Sequence, residues 1–145
     1  MAAYVRQRPP SWFWLAAGVI ALWGAIGCIA CYMQVTADAA SLAALPAYDR
    51  ALHQAMPAWY NWVYAVAVGS GLLGGIALLM RKQVAKPLFV VSLIAVVVQF
   101  GYIFATTDLL AVKGASAALF PLFILIVAVV QIWFADYARQ RGWVV

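Results

Sequence analysis

Four stretches free of charged residues, Pro9–Ala37, Gln54–Met80, Pro87–Thr107 and Gly114–Ala135, take up most of this 145-residue chain. A helix needs about 20 mostly apolar residues to cross a bilayer, and each stretch is long enough for one crossing. The expected fold class is therefore all-α integral membrane: four transmembrane helices in an up-down bundle, at about residues 11–34, 58–80, 87–107 and 116–137. With 9% charged residues and no long linker, residues 1–145 form a single membrane domain.

The charges are few and unevenly placed. Alternating helices put seven of the nine basic residues on one side: Arg6, Arg8, Arg81, Lys82, Lys86, Arg139 and Arg141. The other side receives Arg50 and Lys113, with Asp38, Asp49 and Asp108. Basic loops stay in the cytoplasm, so both termini are expected there. The net charge of +5 thus reads as topology and gives no indication of a nucleic-acid partner. The first apolar run has a basic start, and Ala37-Asp38-Ala39 and Ala25-Ile26-Gly27-Cys28 loosely match cleavage motifs. It exceeds the 7–15 residues of a usual signal core, so a retained helix is expected.

The breaks give the connections. Ser11 follows the Pro9-Pro10 pair as a candidate N-cap, and Pro57 opens the second helix. Pro121 lies in the first turn of the fourth helix or kinks it. The one sizeable loop, Val35–Met56, carries a short amphipathic helix after Pro46. Tyr48, Leu52 and Met56 share one face of it, and Asp49, Arg50, His53 and Gln54 take the other. Such a helix lies on the membrane surface or caps the bundle. Aromatic residues mark both interfaces: Trp12, Trp14, Trp133, Tyr137 and Trp143 on the basic side, and Trp59, Tyr60 and Trp62 on the other.

Small residues predict where helices pack. Gly71, Gly74 and Gly75 form such a face on the second helix, and Gly24/Cys28 and Gly27/Cys31 repeat the spacing on the first. Lacking bulk, they let backbones approach closely, within the chain or across a homo-oligomer. On the third helix Ser92, Ala95, Gln99, Tyr102 and Thr106 recur at steps of three and four. An amide in hydrocarbon is costly, so this face should look inward. Gln34, Asn61 and Trp62 lie nearer the second side, and with Gln99, Tyr102 and Thr106 they make the candidate solute-binding set. Trp23 and Gln131 are further polar groups at membrane depth.

Reactive chemistry is sparse. No acidic, basic or histidine side chain lies deep in any run, which disfavours proton-coupled antiport. His53 alone cannot build a zinc site, and no carboxylates cluster, so neither a metal nor another cofactor is expected. Cys28-x-x-Cys31 loosely resembles the quinone-linked four-helix thiol oxidases but lacks their second cysteine pair, so no enzymatic activity is expected.

Met56-Pro57-Ala58-Trp59 through Leu78-Leu79-Met80-Arg81-Lys82, then Ala85-Lys86-Pro87-Leu88-Phe89 and Ser92-Leu93, resemble a family of small bacterial inner-membrane proteins. Gln34 and the ending Trp133-Phe134-Ala135 through Arg141-Gly142-Trp143 fit the same pattern. Members are often labelled sugar transporters. The resemblance implies a four-helix protein of the bacterial inner membrane. Two readings follow from the residues: a passive transporter or binder of a small neutral solute, or an accessory subunit packed against a larger membrane complex. As a check on topology, reporter fusions after Gln34 and after Arg141 should read periplasmic and cytoplasmic respectively; the reverse pattern would refute the charge argument.

Overall fold

The computed structural model describes residues 7–36 and 39–144. Arg6 and the Ala37-Asp38 pair, which entered the charge and cleavage arguments, lie outside them. Four long helices, α1 (Ser11–Val35), α4 (Ala58–Leu79), α5 (Ala85–Thr106) and α7 (Leu119–Gln140), are long and apolar enough to cross a membrane. Short helices α2 (Ala39–Ala43) and α3 (Ala47–Ala55) fill the first loop, and α6 (Leu109–Lys113) the last. No strand occurs among the described residues, and the chain is a multi-pass membrane protein.

Boundaries follow local chemistry. Pro10 occupies the N-cap position of α1 without a side-chain cap, and Ser11 is already helical. Ser11 is therefore not the cap: the Pro10 carbonyl accepts the Phe13 N–H at 3.1 Å and starts the first turn. The last long helix begins at Leu119, later than expected, because a 3₁₀ turn (Ala115–Ala118) precedes it. Pro121 is its third residue, where a missing N–H leaves no intrahelical bond unmade. Gly114 joins α6 to that turn at φ 77°, a left-handed conformation that favours glycine.

The helices pack in sequence order, α1 on α4, α4 on α5, and α5 on α7. The pairs Ala21/Gly75, Gly24/Leu72 and Gly27/Val68 run in opposite senses, so α1 and α4 are antiparallel. A Cβ on Gly75 would sit 2.7 Å from the Ala21 backbone, and one on Gly24 2.7 Å from Leu72. On the next face of α4, a Cβ on Gly74 would sit 2.5 Å from the Phe89 ring of α5. Gly71 has ordinary clearance, 3.4 Å from Ser92 Oγ. The closest approaches are thus at Gly24, Gly74 and Gly75. Ser92 Oγ donates to the Ala67 carbonyl at 2.6 Å and adds a polar bond between α5 and α4.

One end of the bundle, the terminal face, holds Gln7, Val144 and the α4–α5 turn. Its core is apolar and largely aromatic: Phe13, Leu78, Phe89, Phe134, Trp143 and Val144 are buried together. Trp143, expected as an interface anchor, is instead 7% exposed and packs at 5.1 Å against Trp12. The reason is the end of α7. Gly142, at φ 74°, turns the chain back so that Trp143 N–H bonds the Ala138 carbonyl at 2.9 Å. The end of α4 uses the same reversal, with Lys82 N–H on the Ala77 carbonyl at 2.8 Å. Here Arg81 takes the left-handed position, at φ 58°. A non-glycine residue there costs about 1–2 kcal/mol. Its guanidinium donates to the Trp143 carbonyl at 2.7 Å and the Gln7 carbonyl at 2.6 Å. Charged hydrogen bonds are worth about 1.5–3 kcal/mol each, so two of them offset the strain.

At the opposite end, the loop face, α3 straps the bundle. His53 Nε2 donates to the Gln34 carbonyl at 3.2 Å, the Tyr48 hydroxyl donates to Asp108 at 2.9 Å, and Lys113 pairs with Asp49 at 2.9 Å. Desolvation, then the hydrogen bond to Asp108, raises the Tyr48 pKa. Of the two expected roles for this helix, membrane surface or cap, these bonds make it a cap tied to the end of α1 and to α6. The glycine contacts can be tested directly. Gly74→Leu and Gly75→Leu should each lower stability in detergent by about 1–3 kcal/mol, the usual cost of overpacking. Gly69→Leu, where a Cβ meets nothing within 4 Å, should cost far less.

Candidate functional site

A cavity of about 350 Å³ lies between α1, α4, α5 and α7. Small-molecule sites commonly fall between about 300 and 1,000 Å³, so this one suits a small ligand or the head of a larger one. Each wall is one helix face at steps of three and four: Trp23, Gly27, Ala30 and Gln34 from α1; Tyr60, Tyr64, Ala67 and Gly71 from α4. Helix α5 supplies Ser92, Val96 and Gln99, and α7 supplies Phe120, Ile124, Ala128 and Gln131. From Trp23 to Gln34 the cavity runs about 16 Å along α1 at 1.5 Å per residue. The aromatic core closes it toward the terminal face.

The polar groups in this apolar space are few and neutral. Gln99 is 6% exposed, and its side chain hydrogen-bonds the Tyr60 hydroxyl. Gln34 Nε2 donates to Asn61 Oδ1 at 3.4 Å. Gln131 is 4% exposed and has no hydrogen-bond partner among the described residues. No described side-chain N or O atom is both sealed from solvent and unpaired, so the Gln131 amide is not sealed from solvent. Trp23 meets Phe123 of α7 edge-on at 5.6 Å. No acidic, basic or histidine residue lines the space.

Of the residues singled out in the sequence, Gln34 and Gln99 share this cavity, and Asn61 reaches it through Gln34. Three others lie elsewhere. Trp62 is 75% exposed, in an apolar groove between α4 and α5 with Val66, Ile94 and Val98. Tyr102 packs on Trp59 at 4.7 Å, and Thr106 Oγ1 donates to the Tyr102 carbonyl at 2.7 Å, four residues back on its own helix. On α5 the cavity lining ends at Gln99 and Phe100, so the rest of the stripe lies beyond it. Tyr60, expected at the interface, is 5% exposed and interior.

Tyr60, Tyr64 and Gln131 were not in the expected binding set. Their signals were present: Tyr60, Tyr64, Ala67 and Gly71 step along one face, and Gln131 is the one amide in α7 before its polar end. Cys28 and Cys31 are free thiols, and neither lines the cavity. Among the described residues no group of three or more His, Cys, Asp or Glu side chains is placed to hold a metal ion.

The architecture defines a small multi-pass membrane protein with a neutral intramembrane cavity. Comparison with protein families, with characterised proteins and with solved structures yields no match, so the functional reading rests on the cavity's own chemistry. The two amides should respond differently to removal. Gln131→Leu takes away an amide with no protein partner and should leave ligand-free stability within about 1 kcal/mol of the parent. Gln99→Leu breaks an interhelical bond and should lower it by under about 1 kcal/mol. Melting in detergent checks both, and a large loss at Gln131 would mean that its amide serves the fold.

Proposed function

We propose that the protein binds, and passively moves, a small neutral solute with hydrogen-bonding groups in this cavity. The observation that carries the reading is Gln131: buried, facing open space, and without a protein partner. A ligand's hydroxyl or carbonyl would pair with this amide in an otherwise apolar wall, at a net gain of about 0.5–1.5 kcal/mol. Gln99, Tyr60, Tyr64 and Gln34 offer further neutral donors and acceptors, and Trp23 a stacking face. With no charge in the lining, a charged solute would be desolvated without compensation. We place the protein in a bacterial inner membrane with the terminal face cytoplasmic, on the basic residues there.

The accessory-subunit reading rested on glycine faces free to meet a partner. Gly24, Gly27, Gly74 and Gly75 are already occupied inside the bundle, which weakens it. The solute reading is tested by the thermal shift of purified protein with a panel of neutral hydroxyl compounds, from glycerol to monoacylglycerols, beside charged counterparts. Neutral members should raise the melting temperature, and Gln131→Leu should remove the shift. Equal stabilisation by charged members, or none by any compound, would refute the reading.

A further inference from the structure

Helices α1 and α7 are neighbours around the cavity, yet their backbones stand apart. They meet through side chains: Phe13 on Phe134 at 5.8 Å near the terminal face, and Trp23 on Phe123 at 5.6 Å at mid-height. Between that second pair and the loop face, no ring contact or hydrogen bond joins them among the described residues. The cavity residues on this edge are apolar and open to the outside. Ile26 is 55% exposed, Phe120 is 66% exposed, and Ala30 is exposed between them. All three belong to membrane-spanning helices, so what they face is lipid. The loop-face end is tied instead, where Gln34 bonds Asn61 and receives His53 from the α3 strap.

We propose that the cavity's ligand is carried by the bilayer: a neutral amphiphile whose hydrogen-bonding head reaches Gln131 and Gln99 while its apolar chain leaves between α1 and α7. This deepens the binding reading and rests on it. A polyol arriving from water would shed its hydration at a rim of Ile26, Ala30 and Phe120, with no polar atom there to replace it. An acyl or prenyl chain meets no such penalty at that rim. The Trp23–Phe123 pair then forms the floor of the opening, below which the helices are bridged by rings.

The test uses the full-length protein in phosphatidylcholine nanodiscs and a monoacylglycerol carrying a diazirine on its acyl chain, with labelled peptides read by mass spectrometry. Labelling should concentrate on the α1–α7 edge, at Ile26, Ala30, Phe120 and Ile124. Two variants should each cut it by about tenfold, the step that separates one decade of affinity. Ala30→Trp fills the rim and leaves the amides untouched, whereas Gln131→Leu removes the head's partner and leaves the rim open. Melting curves confirm that both variants fold. Label spread evenly over lipid-facing positions, including Trp62 and Val98, and indifferent to both variants would overturn the proposal. Displacement of the probe by glycerol, or thermal stabilisation by glycerol that survives Ala30→Trp, would overturn the lateral route while preserving neutral-solute binding. Failure of both probe and glycerol to bind would remove the two readings together.

Discussion

The close approach of α4 to its two neighbours is the constraint on which the rest of this structure depends. Lipid gives helices no hydrophobic reason to associate, so contact must come from backbones that can come near one another. Gly24 and Gly75 provide this between α1 and α4, and Gly74 admits the Phe89 ring of α5. These contacts draw three helices into a row. Helix α7 joins on the α5 side, and the gap it leaves against α1 becomes the cavity.

The two halves of the bundle divide the work. On the terminal-face side, packed rings and the Arg81 bonds to Gln7 and Trp143 make an apolar, cross-linked base. Lys86 of α5 pairs with Asp136 of α7 there, and Arg139 engages the same carboxylate from within α7. These pairs are partly exposed, and such pairs contribute only about 0–1 kcal/mol each, so ring packing and the backbone-directed bonds matter more. On the loop-face side the core thins to Ala67, Ala95 and Val96, and the space is left to amides and tyrosines. The cavity and its polar groups thus lie in the half whose buried core is smaller.

What was legible in the sequence, and what was not, divides along one physical line. Charge-free length reports a membrane crossing, because the bilayer tests each helix separately; the four spans were therefore visible to within a few residues at most ends. Helix rotation is a property of neighbours. The Ser92–Thr106 stripe was readable as a face, but only contact with α4 decides that Ser92 and Gln99 meet the cavity while Thr106 bonds its own helix. Trp62 illustrates the same limit: its depth was plain, its direction was not.

The sequence by itself determined the membrane class, the number of crossings and the small-residue positions where backbones can touch, since each follows from local composition and helical periodicity. Only the tertiary structure decided which glycines are in closest contact, that Trp143 folds back into the core, and that Gln131 is left facing open space. The reason is that a cavity belongs to no single helix. It arises where four surfaces fail to meet, and no property of one segment records that.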